Sequence, residues 1–273
     1  MKKKVLILLT MLALILPVIF PVAAWAQNQN EFTVPLSDPG KRGKLKARIN
    51  YGSITVKGTA RKDVLVRYTS DKDEEDKGKN QSKEGLRRIG GGGMDLEASE
   101  NGNTVNVKSD SWNNKLNLEI EIPSGMDLEM KTYNDGDLMV SNIQGEVALT
   151  NYNGEITALN VSGSVVATTY NGGIKVTFDK VTDGTPMSYS TYNGDIDITF
   201  PATVKATLKM KTEQGDIYSG FDVDIKSSGP IQRKETSAGT KIVIDEWRRG
   251  DLNGGGPEIT MKNYNGDIIL RKK

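Results

Sequence analysis

The sequence of 273 residues holds no cysteine and no histidine. Their absence excludes thiol nucleophiles, Ser-His-Asp triads, disulfides, and zinc sites built from imidazole or thiolate. Only carboxylates, Lys, Arg and Tyr remain for acid–base chemistry. Without disulfides the fold must be held by its core, even in an oxidising compartment. Aromatic residues are few, at 6%, and neither sign of charge dominates, with 36 Lys and Arg against 35 Asp and Glu. That balance supplies no field to gather nucleic acid or an anionic membrane, so no nucleic-acid partner is expected.

Residues 1–26 differ from the rest. Lys2, Lys3 and Lys4 precede an apolar run from Val5 to Phe20, and Ala24-Trp25-Ala26 stands before Gln27. This is the pattern of a cleaved secretory signal, which places the mature chain in the periplasm, at the cell surface or outside the cell. A retained anchor is the alternative, but the run is near the lower limit for a span and Pro17 and Pro21 interrupt its end. No transmembrane segment is expected in the mature chain. Losing the three lysines turns the formal charge of +1 into −2.

In place of a catalytic motif the chain has a recurring phrase. It reads Tyr152-Asn153-Gly154-Glu155-Ile156, Tyr170-Asn171-Gly172-Gly173-Ile174 and Tyr192-Asn193-Gly194-Asp195-Ile196, then more loosely Glu213-Gln214-Gly215-Asp216-Ile217. A last copy, Tyr264-Asn265-Gly266-Asp267-Ile268, lies near the end, and Tyr51-Gly52-Ser53-Ile54 is an imperfect early one. The glycines at 136, 154, 172, 194 and 215 are separated by 18, 18, 22 and 21 residues. Such a period marks a repeat architecture.

Aligned on the phrase, each copy is preceded by two alternating apolar residues, as in Leu128 and Met130, Val147 and Leu149, or Met187 and Tyr189. A Thr or Asn follows at the third alternate position: Thr132, Asn151, Thr169, Thr191, Thr212, Asn263. Alternation puts all three columns on one side of a strand. A second strand follows each glycine, as in Ile174, Val176 and Phe178. The expected fold is therefore all-β, a parallel β-solenoid or β-helix with two short strands per coil, right-handed by the general rule for parallel crossovers. Asn-Gly suits the sharp corner, and an antiparallel meander of Asn-Gly hairpins is the competing fold.

The remaining stretches set the expected organisation. Residues 27–115 read as an N-terminal β region, with a hairpin across Asn101-Gly102 in which Leu96 and Ala98 face Val105 and Val107. Within it, 71–93 is charged and glycine-rich and reads as a solvated, mobile loop. Residues 116–273 read as the repeat solenoid. Between Gly215 and Gly266 the interval of 51 implies an insertion at about 219–258, with a strand-like Lys241 to Trp247. Loops of this kind are where repeat proteins carry binding function.

Three columns are candidate sites. The acids Asp137, Glu155, Asp195, Asp216 and Asp267 line one corner, and Asp195 and Asp216 are the candidate calcium ligands. Gly173 breaks that run, the spacing is not that of a calcium nonapeptide, and a solvated acidic edge is the preferred reading. Tyr152, Tyr170 and Tyr192 are candidates for glycan stacking, although stacked aromatics also stabilise neighbouring strands without a ligand. The Thr and Asn column reads as an internal ladder of side-chain hydrogen bonds. No catalytic residue and no cofactor is expected.

The phrase Thr191-Tyr192-Asn193-Gly194-Asp195-Ile196, the run Leu118-Glu119-Ile120-Glu121-Ile122-Pro123 with Gly125 and Leu128-Glu129-Met130-Lys131-Thr132, and the leader together resemble the bacterial secreted adhesin-like family of β-strand repeats, the toast-rack type. The resemblance spans roughly Glu31 to Lys273 and implies a β-solenoid outside the cytoplasm, with no catalytic residues to carry over. The chain departs from that pattern in its charged loop, in its insertion before Gly266, and at Gly173. The expected function is a non-catalytic exported interaction protein, with an envelope protein or glycan as partner. A polysaccharide-binding or polysaccharide-cleaving β-helix and a structural envelope component are the alternatives.

Overall fold

The computed structural model describes residues 30–70, 95–226, 232–236, 239–243 and 247–273. The leader, the 71–93 loop and parts of the 219–258 stretch lie outside the described residues. Alternating apolar residues between Gly and Asn corners give strands throughout, and there is no helix among the described residues. In the first half these are β1 (Glu31–Pro35), β2 (Lys44–Ile49), β3 (Ile54–Thr59), β4 (Asp63–Ser70), β5 (Glu97–Asn101), β6 (Thr104–Ser109), β7 (Leu116–Pro123), β8 (Asp127–Lys131) and β9 (Leu138–Ser141). The repeat supplies β10 (Glu146–Thr150), β11 (Ile156–Thr168), β12 (Ile174–Val181), β13 (Met187–Ser190), β14 (Ile196–Phe200), β15 (Ala206–Lys211) and β16 (Ile217–Ser219). Then come β17 (Asp224–Lys226), β18 (Gln232–Thr236), β19 (Gly239–Val243), β20 (Arg248–Leu252), β21 (Glu258–Lys262) and β22 (Ile268–Lys272).

Pairing arranges these strands in two stacks. The first runs β1, β4, β7, β3, β9, β11, β12, β14, β22, β16. The second runs β5, β6, β2, β8, β10, β11, β13, β21, β15, β20, β17. The 13-residue β11 serves both, pairing in the first stack as far as Gly163 and in the second from Ser164, with an irregularity at Asn160, whose φ is 55°. One rung is thus a strand in each stack joined by a corner. From β8 to β14 every pairing is parallel, which excludes the Asn-Gly meander.

Two expectations need correction. The pairing is mixed rather than purely parallel, because β4 lies antiparallel between β1 and β7, β5 folds back on β6, and β20 runs antiparallel to both β15 and β17. All of these pairings are at the two ends, where a strand folded back covers an edge that a further parallel rung would otherwise occupy. The β5–β6 turn is shifted one residue from the expected Asn101-Gly102, since Gly102 and Asn103 carry the positive φ values of 56° and 62°.

The second correction concerns order. The last copy of the phrase does not follow the Gly215 copy across an insertion: β21 and β22 enter between the β13–β14 rung and the β15–β16 rung. The N-terminal end mirrors this. β2 and β3 enter between the β6–β7 rung and the β8–β9 rung, so pairing runs without a break across the boundary expected near residue 115.

The core fills the space between the stacks. Leu128, Val147, Val165, Met187, Ile259 and Leu208 form one buried column, and Ile54, Leu138, Ile156, Ile174, Ile196 and Ile268 face it from the other stack. Phe178 and Phe200 stack at 5.3 Å inside. Tyr189 is fully buried between small Ala167 and Met261, its hydroxyl donating only to Met187 Sδ at 3.4 Å, and burial pushes that phenol well above its ordinary range.

Candidate functional site

The corner is built from the residues of the phrase, each bonded to its counterpart one rung away. At its base a glycine is required: a Cβ on Gly172 would lie 2.1 Å from Gly154 O, and one on Gly215 would lie 2.0 Å from Gly266 O. Backbone approach this close leaves room for no side chain. The Thr and Asn column, buried except for half-buried Thr212, donates to these same glycine carbonyls rather than to itself. Thr132 Oγ1 reaches Gly52 O at 2.8 Å, Asn151 Nδ2 reaches Gly136 O at 2.9 Å, and Thr191 Oγ1 reaches Gly172 O at 2.9 Å. A backbone acceptor left by the turn is thereby satisfied.

The asparagines form a second ladder that sequence reasoning missed. Asn153 Nδ2 donates to Asn134 Oδ1 at 3.0 Å, and Asn171, Asn193 and Asn265 repeat this, each to the Asn before it in space, at 2.7 Å. In the sequence the turn alone accounts for the Asn. The signal was Gln214, where the phrase loses its Tyr yet keeps an amide.

The acidic column is a third ladder. Asp137 Oδ1 accepts from Glu155 N, Asp195 Oδ1 from Asp267 N, and Asp267 Oδ1 from Asp216 N, all at 2.8 Å. Asp195 and Asp216, the calcium candidates, are not neighbours, because the Asp267 rung lies between them. Among the described residues no group of three or more carboxylates is placed to hold a metal ion. Asp216, with Asp267 next to it, instead raises the Tyr218 phenol above its ordinary range.

The tyrosines project outward. Tyr152 and Tyr170 stack at 5.1 Å and 7°, Tyr170 and Tyr192 at 4.9 Å and 6°, Tyr192 and Tyr264 at 4.7 Å and 2°. Each ring is 38–49% exposed. Both faces of Tyr170 and of Tyr192 are covered by neighbouring rings, so these two present edges and hydroxyls to solvent. An outer face is left at Tyr152 and at Tyr264. Tyr133 belongs to the column through the Asn153–Asn134 bond and packs on Trp112 at 5.9 Å, while Asp135, at φ 49°, takes up its extra residue.

Beside the tyrosines lies the outer face of the second stack. By register Thr150, Thr168 and Ser190 form a row next to the rings, and Ala148, Val166 and Ser188 form the next. Cations flank this region, with Lys131 and Arg48 on one side and Lys262 and Lys211 on the other. Lys44 and Lys131 hold the Glu129 carboxyl below the usual carboxylate range. A cavity of about 760 Å³ opens at the other end of the molecule, lined by Met210, Asp216, Phe221, Asp222 and Arg248 among others.

A "putative cell adhesion protein" from Clostridium sporogenes is similar at 12% identity and a TM-score of 0.47, covering 89% of this chain and 99% of that one. A "putative adhesin" from Bacteroides fragilis is similar at 12% identity and a TM-score of 0.39, covering 89% and 96%. No curated protein matches significantly. The family model described as Toastrack DUF4097 matches residues 89–253, more than half of the chain, which therefore belongs to the Toastrack DUF4097 family.

Proposed function

We propose that the chain is an exported, non-catalytic, adhesin-like interaction protein of the bacterial envelope: a stiff, right-handed β-solenoid that offers its outer surface to an envelope protein or glycan. The observation that carries this reading is the direction of the corner's polar groups. Thr191, Asn193 and Asp195 each bond to the neighbouring rung. Groups fixed in this way build a scaffold and do not converge on a substrate. What remains for a partner is the surface, including the exposed tyrosines. For Tyr152, Tyr170 and Tyr192 the glycan role becomes stacking on the outer face of Tyr152, with hydroxyl contacts along the others.

The specific observation favouring the rival, cleavage of a polysaccharide, is that Asp216 and Asp222 line one cavity together with Arg248. A glycosidase needs its two carboxyls at a set separation across the scissile bond. Reducing ends or unsaturated products released from a polysaccharide panel, and lost in Asp222→Asn, would establish that rival. The direct test of the proposed role is a pull-down from envelope extract with the mature protein, in which a defined envelope protein or glycan is retained. No retained component would count against the role.

A further inference from the structure

The flank beside the tyrosine ladder is unlike the rest of the surface. In a chain that is 26% charged, three adjacent rungs carry the rows Ala148–Val166–Ser188, Thr150–Thr168–Ser190 and Tyr152–Tyr170–Tyr192 without one charged side chain. Val166 is 43% exposed. The hydroxyls of Thr150, Thr168, Ser190 and the three tyrosines have no protein partner among the described residues. Flat, exposed and studded with free hydroxyls, this face suits a polymer that is itself rich in hydroxyls.

Both ends of the hydroxyl row are cationic. In one direction register carries it to Lys131, Arg48 and Lys108, which pair at the surface with Glu129, Asp110 and Glu97 and with Lys46 line a depression of about 190 Å³ where cations outnumber acids. In the other direction it reaches Lys262 and then Lys211, which pairs with Glu213. Beyond the tyrosines the corner is acidic, with Asp137, Glu155 and Asp195. An anionic chain is therefore drawn onto the flat face and kept off the corner.

A second copy of this protein fits the face poorly. A twofold axis through the face would set Lys131 and Arg48 against Lys262 and Lys211, a like-charge contact. The uncharged area, at strand spacing and rise, is roughly 200 Å², well short of the roughly 800 Å² per partner of a stable interface. A narrow ligand running along the stack needs neither.

We propose that this face binds a linear acidic polysaccharide laid across the strands, with sugar rings over the hydroxyl and tyrosine rows and anionic groups at the cationic ends, one of them in the Lys46, Arg48, Lys108 and Lys131 depression. Successive sugars of an extended β-linked chain advance by close to one strand spacing, so each rung offers a similar contact to each sugar. This rests on the interaction role proposed above and adds to it a surface and a ligand class.

The test measures binding of the mature full-length protein to β-1,4-linked polymannuronate, a polysaccharide phosphodiester, a neutral β-1,4-glucan oligomer and double-stranded DNA. Binding to at least one acidic glycan, weakening with added salt, is expected, and none to the glucan or DNA. Thr168→Glu should weaken it by at least about tenfold, as should Arg48→Glu, because a like charge then faces the polymer. Thr168→Lys should keep it, and Thr177→Glu, outside the flat face in the first stack, should leave it unchanged, all with unaltered melting. No acidic glycan bound, equal binding of DNA, or equal loss in Thr177→Glu overturns the assignment. Envelope retention that survives in Thr168→Glu would sink this surface and leave the interaction role standing, whereas no retention by the unaltered protein would sink the role itself.

Discussion

The middle of the molecule and its two ends are built from the same rung but placed by different rules. From β8 to β14 successive rungs follow the chain, each copy of the phrase lying on the one before it in sequence. At each end one rung enters out of turn. Spatial order there follows the quality of the phrase. The complete copy Tyr264-Asn265-Gly266 lies against the complete copy Tyr192-Asn193-Gly194, and the defective Glu213-Gln214-Gly215 is left outermost, where it must match one neighbour only. At the other end the β6–β7 rung has no phrase, and the imperfect Tyr51-Gly52 copy lies between it and the better Tyr133-Asn134 copy. Ring stacking, amide ladder and glycine contact are made copy to copy, and a longer loop costs little extra entropy. Contacts between like copies therefore outweigh closeness in the chain.

The comparison predicts that equivalent substitutions are more damaging in the middle than at the end. Ile196→Asp buries an unpaired carboxylate at a fully buried site and should cost well over about 4 kcal/mol, abolishing the native melting transition. Ile217→Asp, half-buried in the last rung, should fray that rung and leave the transition in place. Gly172→Ala forces a Cβ to 2.1 Å from Gly154 O and should cost about 3 kcal/mol or more. Gly215→Ala meets Gly266 O at a similar 2.0 Å, yet the outer rung can shift, and the cost should be clearly smaller. Equal costs for the two glycines would break the comparison.

Smaller effects sharpen it. Thr191→Val leaves Gly172 O without its donor and should cost about 1–3 kcal/mol, more than Thr212→Val, which makes the corresponding bond to Gly266 O in the last rung. Tyr189→Phe removes a hydroxyl whose only bond is to sulfur and should change stability by less than about 1 kcal/mol in either direction. The smallest effect expected is with pH. The Glu121 carboxyl is held below its ordinary range first by its bond to Arg67, and Glu100 by bonds from Ser37. Each pKa is lower folded than unfolded, so the stability they add is present above the ordinary value of 4.5 and is lost as pH falls below it. Both groups lie near the N-terminal end, so hydrogen exchange at mildly acid pH should rise there before it rises between β10 and β14.

Much of the single rung was legible in the sequence. The period, the inward facing of Leu128, Met130 and Thr132, and the alignment of Tyr152, Tyr170 and Tyr192 all follow from alternation within one copy. The order of rungs was not, because it depends on how well two copies match. Reading the interval before Gly266 as an insertion assumed that the chain winds in sequence. The antiparallel ends escaped for a similar reason: strands such as β4 and β20 alternate like any other, and only the neighbour they meet sets their direction. At the candidate site, the tyrosine column was visible but the covering of its inner faces was not. The flat row Thr150, Thr168 and Ser190 was hidden, since exposed Thr and Ser in alternation look like ordinary solvent-facing positions.

The absence of cysteine makes the central claim directly testable, because within one chain an introduced pair meets no competing native thiol. Ser190 lies opposite Lys262 on the adjoining strand, whereas Lys211, its partner if the rungs followed the chain, is one strand further away. Adjoining parallel strands place facing Cα atoms within disulfide reach, and strands two apart do not. Oxidation of Ser190→Cys with Lys262→Cys should give a cross-link that shifts mobility on a non-reducing gel, and Ser190→Cys with Lys211→Cys should give none. A cross-link in the second pair and not in the first would show that the rungs are stacked in chain order, contradicting placement by the match between copies.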